Sequence, residues 1–287
     1  MTNRYSIAAA LLIVSVLLLA ARPTLAIENG KADPGKRPVG ALGFVPIWSP
    51  SGPPLGFCTG FVISDAAFVT AAHCTASFSS IALSFEVTLA PGSARIPVIE
   101  PGTVQTAPLD LGTLRPILTE TVTATGVDYC SGATELPGLI VPDVAVLTFP
   151  AGTFAVRPVR LPRLGFVDDL DSRGVLYNSP AHLSGYGAAE ELTDGEVFVA
   201  GYRQRGLSKV SAVVTDPAVG AARRWLLLEP TEIFDADPLS GDSGSPLFML
   251  GKAVALKGRP LGFPLDNAYQ RLDTADVLGC LMNYTTR

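Results

Sequence analysis

Only two histidines occur in this chain of 287 residues, His73 and His182. Histidine is the usual general base near neutral pH, so a hydroxyl nucleophile here has to reach one of them. The candidate nucleophile lies in "SGDSGSPLF", Ser240 to Phe248. Gly, Ser and Asp also gather in turns for purely conformational reasons, so the stretch reads equally as a polar turn entering a strand. If Ser243 reacts, its base must precede it, because no histidine follows. That excludes the α/β-hydrolase order, in which the histidine comes last. The string Gly241-Asp242-Ser243-Gly244-Ser245 also lacks the closing glycine of G-x-S-x-G. A carboxylate must then hold the imidazole in one tautomer and stabilise the imidazolium. Asp143 stands at the mouth of the apolar run "DVAVLTF", either as that carboxylate or as a strand-end cap. Taken singly, each histidine also suits a structural role: His73 among the small residues of "VTAAHCTA", His182 in the strand-like "PAHLSGYG".

The elements that must position these groups are short. Glycine (28) and proline (24) recur along the whole chain and cut it into brief segments. Runs such as "GFVISDAAFVTAA", "EVFVAGYRQRGLSKVSAVV", "RWLLLEP" and "KAVALKG" are apolar or alternating and bounded by turn residues. This is the pattern of an all-β sandwich or barrel. "DTADVLGCLMNY" differs: Val277, Cys280 and Leu281 share one face after Thr274, a potential cap, which predicts a C-terminal helix. The region 90–138 is rich in Pro, Thr and Gly and predicts strands joined by long loops. Residues 150–165 carry three prolines and read as a connector between two halves.

The first residues are a separate element. Arg4 precedes fifteen residues, Ile7 to Ala21, broken only by Ser15, and Thr24 and Ala26 are small residues at the −3 and −1 positions of a cut after Ala26. The run is short for a membrane span and suits a secretory signal peptide over residues 1–26, so the mature protein is expected outside the cell or in a periplasm. An uncleaved anchor is the alternative. The formal charge of −5 becomes −7 once Arg4 and Arg22 are removed, and no basic block exists, so nucleic acid is not an expected partner. Export allows Cys58, Cys74, Cys130 and Cys280 to form two disulfides, in any of three pairings. Only Cys74 adjoins a histidine, and no metal site is expected.

Taken in order, "TAAHC", "DVAVL" and "GDSGSP" resemble the strings that carry the catalytic residues of the trypsin/chymotrypsin family of serine peptidases. The resemblance spans the chain from Ile27 to the C-terminal helix, anchored at these strings and loose between them. It implies two six-stranded antiparallel β-barrels with a C-terminal α-helix. The division would be 27–160 for the barrel bearing His73 and Asp143, 161–270 for the barrel bearing Ser243, and 271–287 for the helix and tail. His73 would be the base, Asp143 its orienter and Ser243 the nucleophile. The N–H groups of Gly241 and Ser243 would meet the oxyanion. The family's inward-folded N-terminus would here be Ile27 of "IENG", paired with Asp242 and freed by the signal cut itself. The resemblance further implies a Cys58–Cys74 disulfide beside the histidine and leaves Cys130 with Cys280, or Cys130 free.

Specificity is less well matched. Six residues before Ser243 stands Asp237, the place of the acid that selects Arg or Lys in trypsin-like members, with Asp235 as a substitute if the loop is shifted. Leu239 replaces the usual pocket cysteine, and Leu256, Lys257 and Gly258 stand where a Ser-Trp-Gly is familiar. Gly258 would flank the substrate, and Lys257 could neutralise a pocket acid. His73 and Asp143 are 70 residues apart, which implies an added loop within 90–138. Asn283-Tyr284-Thr285 matches a glycosylation acceptor. The implied activity is a secreted serine endopeptidase acting on polypeptides without a cofactor, as a monomer open to protein inhibitors and free of membrane after signal cleavage. Two rivals use the same scaffold: a binding protein that has lost catalysis, and an esterase-like hydrolase using the same three residues.

Overall fold

A computed structural model describes residues 27–28, 30–34, 38–46, 56–75, 78–85, 96–99, 109–110, 115–116, 125–130, 142–191, 197–199, 203–216, 220, 223–229, 237–238, 241–259 and 267–285. The predicted signal segment, Asp235, Leu239 and most of 90–138 lie outside these residues.

The protein is all-β, built as a double barrel with a C-terminal helix. In the first half, seven antiparallel strands lie in the order Gly126–Tyr129, Ala145–Thr148, Ala67–Thr70, Gly56–Ser64, Val39–Pro46, Phe78–Ser84 and Ile96–Ile99. The central strands are buried on both faces. That is why "DVAVL" and "AFVT" read as continuous apolar runs rather than alternating ones. Phe61, Val62, Phe68, Val69, Val146 and Leu147 form this core. Phe68, Phe85, Phe149 and Phe154 meet edge to face or tilted, with centroids 4.8–6.4 Å apart.

The second half closes on itself. Pro180–Gly185 pairs with Gln204–Val214 on one side and Pro246–Met249 on the other. Lys252–Lys257, Ala268–Arg271 and Trp225–Glu229 complete the ring of six antiparallel strands. Closure leaves no open edge inside the ring. Lys31–Ala32, near the start of the described chain, adds to Gln204–Val214. Ile27 itself is 1 % exposed and belongs to this second core, with Leu183, Leu226, Leu247 and Val254.

The connector 150–165 runs between the halves without a strand or helix until its end, and its backbone is held by both. Val159 donates its N–H to Val62 O at 2.9 Å, and Arg160 O accepts from Ala253 N at 2.9 Å. The C-terminal helix, Ala275–Met282, buries Val277, Leu278 and Leu281 and packs Val277 and Leu281 into the first core. Thr274 occupies the cap position with an extended backbone, but its hydroxyl makes no capping hydrogen bond. A second helix, Phe166–Ser172, was not foreseen, because its seven residues are too few to show a sustained period. Phe166, Val167 and Leu170 bury one face of it, and Asp273 Oδ2 accepts the Val167 N–H at 2.7 Å, supplying the cap from a distant segment.

Candidate active site

His73 sits in a single 3₁₀ turn, Ala72–Cys74, immediately after the buried Ala67–Thr70 strand. The small residues around it let the turn lie against the core, since Ala71, Ala72 and Cys74 are all fully buried. Asp143 precedes the Ala145–Thr148 strand, which is hydrogen-bonded to Ala67–Thr70. Adjacent strands therefore bring together two residues 70 positions apart. Asp143 is 1 % exposed. Its Oδ2 receives His73 Nδ1 at 2.8 Å, and its Oδ1 receives the His73 backbone N–H at 3.0 Å. A third donor, the backbone N–H of Arg259, reaches Oδ2 at 2.7 Å. Burial pushes the Asp143 carboxyl up, but the His73 charge and the hydrogen bonds from His73 and Arg259 outweigh it, and the carboxyl is held below its ordinary value.

Ser243 lies on the turn before the Pro246–Met249 strand of the closed barrel. That turn is bolted to the first half through Thr59. The Thr59 N–H donates to Ser243 O at 2.7 Å, and its hydroxyl donates to Gly241 O at 3.1 Å. Gly241 and Gly244 have φ of 91° and 83°, the left-handed region that disfavours a side chain. At Gly244 a Cβ would also stand 2.1 Å from Thr59 O and 2.4 Å from Thr70 Oγ1. Among the described residues, neither the Gly241 nor the Ser243 N–H donates to a protein acceptor. Two free amides beside a hydroxyl are able to receive a developing oxyanion.

The Cys58–Cys74 disulfide lies between these parts, with Cα atoms 6.3 Å apart. Cys74 Sγ is 3.7 Å from His73 Nε2 and 3.9 Å from Ser243 O. Among the described residues no hydrogen bond joins His73 to Ser243. The same sulfurs and imidazole form a group with metal-ligand spacing, but disulfide sulfurs are not thiolates and cannot serve as such ligands. Cys130 and Cys280 form the second disulfide, which ties the C-terminal helix to the first half.

Asp242 is 1 % exposed and turned toward the second barrel, where it accepts the Gly187 N–H at 2.9 Å. Gly185 and Gly187 make room for it: a Cβ on either would lie 2.0 or 2.5 Å from an Asp242 oxygen. The amide of Ile27 donates instead to Gln204 Oε1 at 2.9 Å. Asp237 and Pro238 form a two-residue strand paired with Glu28 and Ile27. Gly258 packs on Trp225, where a Cβ would fall 2.3 Å from the indole and 3.5 Å from Asp143 Oδ2. It thus lines the carboxylate. Lys257 is 6 % exposed with Nζ 5.9 Å from the centroid of the Tyr269 ring. His182, the other histidine, is exposed on the Pro180–Gly185 strand and takes no part in this cluster. Sequence reading missed Thr59, Arg259 and the Gly185–Gly187 seat. Only the last left a mark, two glycines spaced by one residue in "SGYG".

No family model matches the chain, and no curated protein matches it. Solved structures do. A structure described as HL collagenase is 15 % identical, with a TM-score of 0.60 over 90 % of this chain and 99 % of that one. Scabies mite inactivated protease paralogue S-I1 is 14 % identical, with a TM-score of 0.58 over 89 % and 97 %. GrC is 18 % identical, with a TM-score of 0.56 over 90 % and 99 %. At these identities the likeness establishes the fold, and the chain has the chymotrypsin-type fold of these serine-protease structures.

Proposed function

We propose that the protein is a secreted serine endopeptidase in which His73, Asp143 and Ser243 act together. The observation that carries the reading is the buried Asp143 carboxylate on His73 Nδ1 at 2.8 Å. This bond leaves Nε2 as the atom free to take a proton. His73 Nε2 takes the Ser243 hydroxyl proton as Oγ attacks the scissile carbonyl carbon. The oxyanion is met by the N–H groups of Gly241 and Ser243. His73 then protonates the leaving amine, and the acyl-enzyme is hydrolysed by water with the same imidazole as base. Among the described residues no hydrogen bond joins His73 to Ser243; such bonds often tighten only with substrate. Signal cleavage after Ala26 frees the Ile27 ammonium, which moves from Gln204 to the buried Asp242. Asp237 provides a preference for Arg or Lys before the cut, with Gly258 beside the substrate.

Labelling by a fluorophosphonate tests the reading. Labelling of the wild type, abolished in Ser243→Ala, supports it. No labelling of a mature protein whose mass starts at Ile27 supports instead a binding protein, a reading favoured by the inactivated paralogues among the structural neighbours. Labelling with ester hydrolysis but no peptide cleavage supports an esterase. Cleavage of a mixed peptide library at sites other than Arg and Lys removes the role given to Asp237, and a mature start elsewhere than Ile27 removes the activation step.

A further inference from the structure

A groove of about 530 Å³ lies away from the candidate active site, between the connector and the Pro180–Gly185 strand. Its floor is apolar, made of Val39, Val159, Leu183 and Phe248, and its rim carries Arg157, Arg160, Arg205 and His182. Every other arginine whose side chain is described forms an ion pair with a carboxylate. The three that form none among the described residues all stand on this rim, in a chain with an excess of acidic over basic residues. All three are exposed. The carboxylate in the lining, Asp33, is buried and already faces Arg203, with Nε 3.6 Å from Oδ2. It also accepts the Ser184 hydroxyl at 3.4 Å. The local field is therefore positive. Burial and the neighbouring Arg205 charge lower the pKa of His182, in keeping with that field.

We infer that this groove is a docking site for an acidic peptide segment, with carboxylates on the arginine rim and apolar side chains on the floor. The apolar floor decides between anionic partners. A sulfated glycan would satisfy the arginines but leave Leu183 and Phe248 unpaired with anything apolar, whereas an extended peptide presents both kinds of group. The connector that supplies Arg157 and Arg160 is fastened to both barrels, so the rim is preorganised. The site is separate from the proposed catalytic cluster and does not depend on catalysis.

The test uses the full mature chain carrying Ser243→Ala, so that no probe is cut. Fluorescence anisotropy follows fluorescein-labelled Glu-Glu-Phe-Glu-Glu, with the Gln-Gln-Phe-Gln-Gln peptide as control. The acidic probe is expected to bind, to weaken as salt rises, and to lose at least tenfold in affinity in the Arg157→Gln/Arg160→Gln/Arg205→Gln variant, while the control does not bind. If the triple variant does not fold, the single Arg157→Gln and Arg160→Gln variants are read instead, and each should lose at least twofold. No binding of the acidic probe, equal binding of the control, or unchanged affinity in the variants overturns the inference. Binding of a heparin tetrasaccharide without binding of the acidic peptide overturns the choice of a peptide.

Discussion

The backbone N–H of Arg259 reaches Asp143 Oδ2 at 2.7 Å, the same oxygen that holds His73 Nδ1. Two donors on one oxygen require an acceptor there. In Asp143→Asn one of the two carboxyl oxygens becomes an NH₂ group, which would face N–H groups on either side of the site. The imidazole then turns or adopts the tautomer that, in the proposed mechanism, cannot take the Ser243 proton. In the triad template this change lowers kcat about 10⁴-fold. The expectation here is a loss of that order in hydrolysis of an activated ester, with the fold retained by circular dichroism. A loss under tenfold would show that Asp143 does not orient the base.

The same carboxylate predicts an acid limb of stability. Its folded pKa lies below the unfolded value of about 3.9, so its contribution is fully present above that value and is lost as the pH falls through the folded one. The melting temperature of the wild type should therefore exceed that of Asp143→Asn at pH 6, and the gap should narrow below pH 4. A gap that is constant from pH 6 to pH 2.5 would contradict the lowered pKa.

The two disulfides should separate stability from activity. Cys130–Cys280 closes 150 residues and Cys58–Cys74 only 16, so the chain-entropy model assigns them about 5 and about 3 kcal/mol. Cys130→Ser with Cys280→Ser should lower the denaturation midpoint more. Removing Cys58–Cys74 should cost more in turnover per folded molecule, because Cys74 stands against both His73 Nε2 and the Ser243 carbonyl. Midpoints and active-site titration on the same preparations check both halves.

What the sequence disclosed and what it hid have physical causes. Buried strands next to the site are continuous apolar runs, so Asp143 at the head of one stood out by contrast with its neighbours. The serine turn was legible because positive φ demands glycine at fixed offsets, as at Gly241 and Gly244. Arg259 was not legible, since it acts through a backbone N–H that every residue except proline has. Thr59 was hidden for a related reason: its work is to hold Ser243 O and Gly241 O across 182 or more residues of sequence, and no local pattern encodes that pairing. The helix Phe166–Ser172 takes its cap from Asp273, more than a hundred residues away, so its start carried no local signal.

Gly244 offers the sharpest test of how the serine turn is held. Its φ of 83° costs a non-glycine residue about 1–3 kcal/mol. The added methyl would also meet Thr59 O at 2.1 Å and Ala71 N at 2.9 Å, backbone atoms of the first half that cannot swing aside as a long side chain could. Overpacking of this kind adds roughly 1–3 kcal/mol. Gly244→Ala should therefore lower stability by about 2 kcal/mol or more in a denaturant titration. Relief by backbone movement would pull Ser243 away from Thr59 and slow fluorophosphonate labelling well beyond the loss of folded protein. Gly152→Ala is the control, because its φ is also positive, at 79°, yet nothing lies within 4 Å of the added methyl. It should show the backbone cost without the loss of labelling. Equal behaviour of the two variants would mean that the contact between Gly244 and the Thr59 strand does not set the position of Ser243.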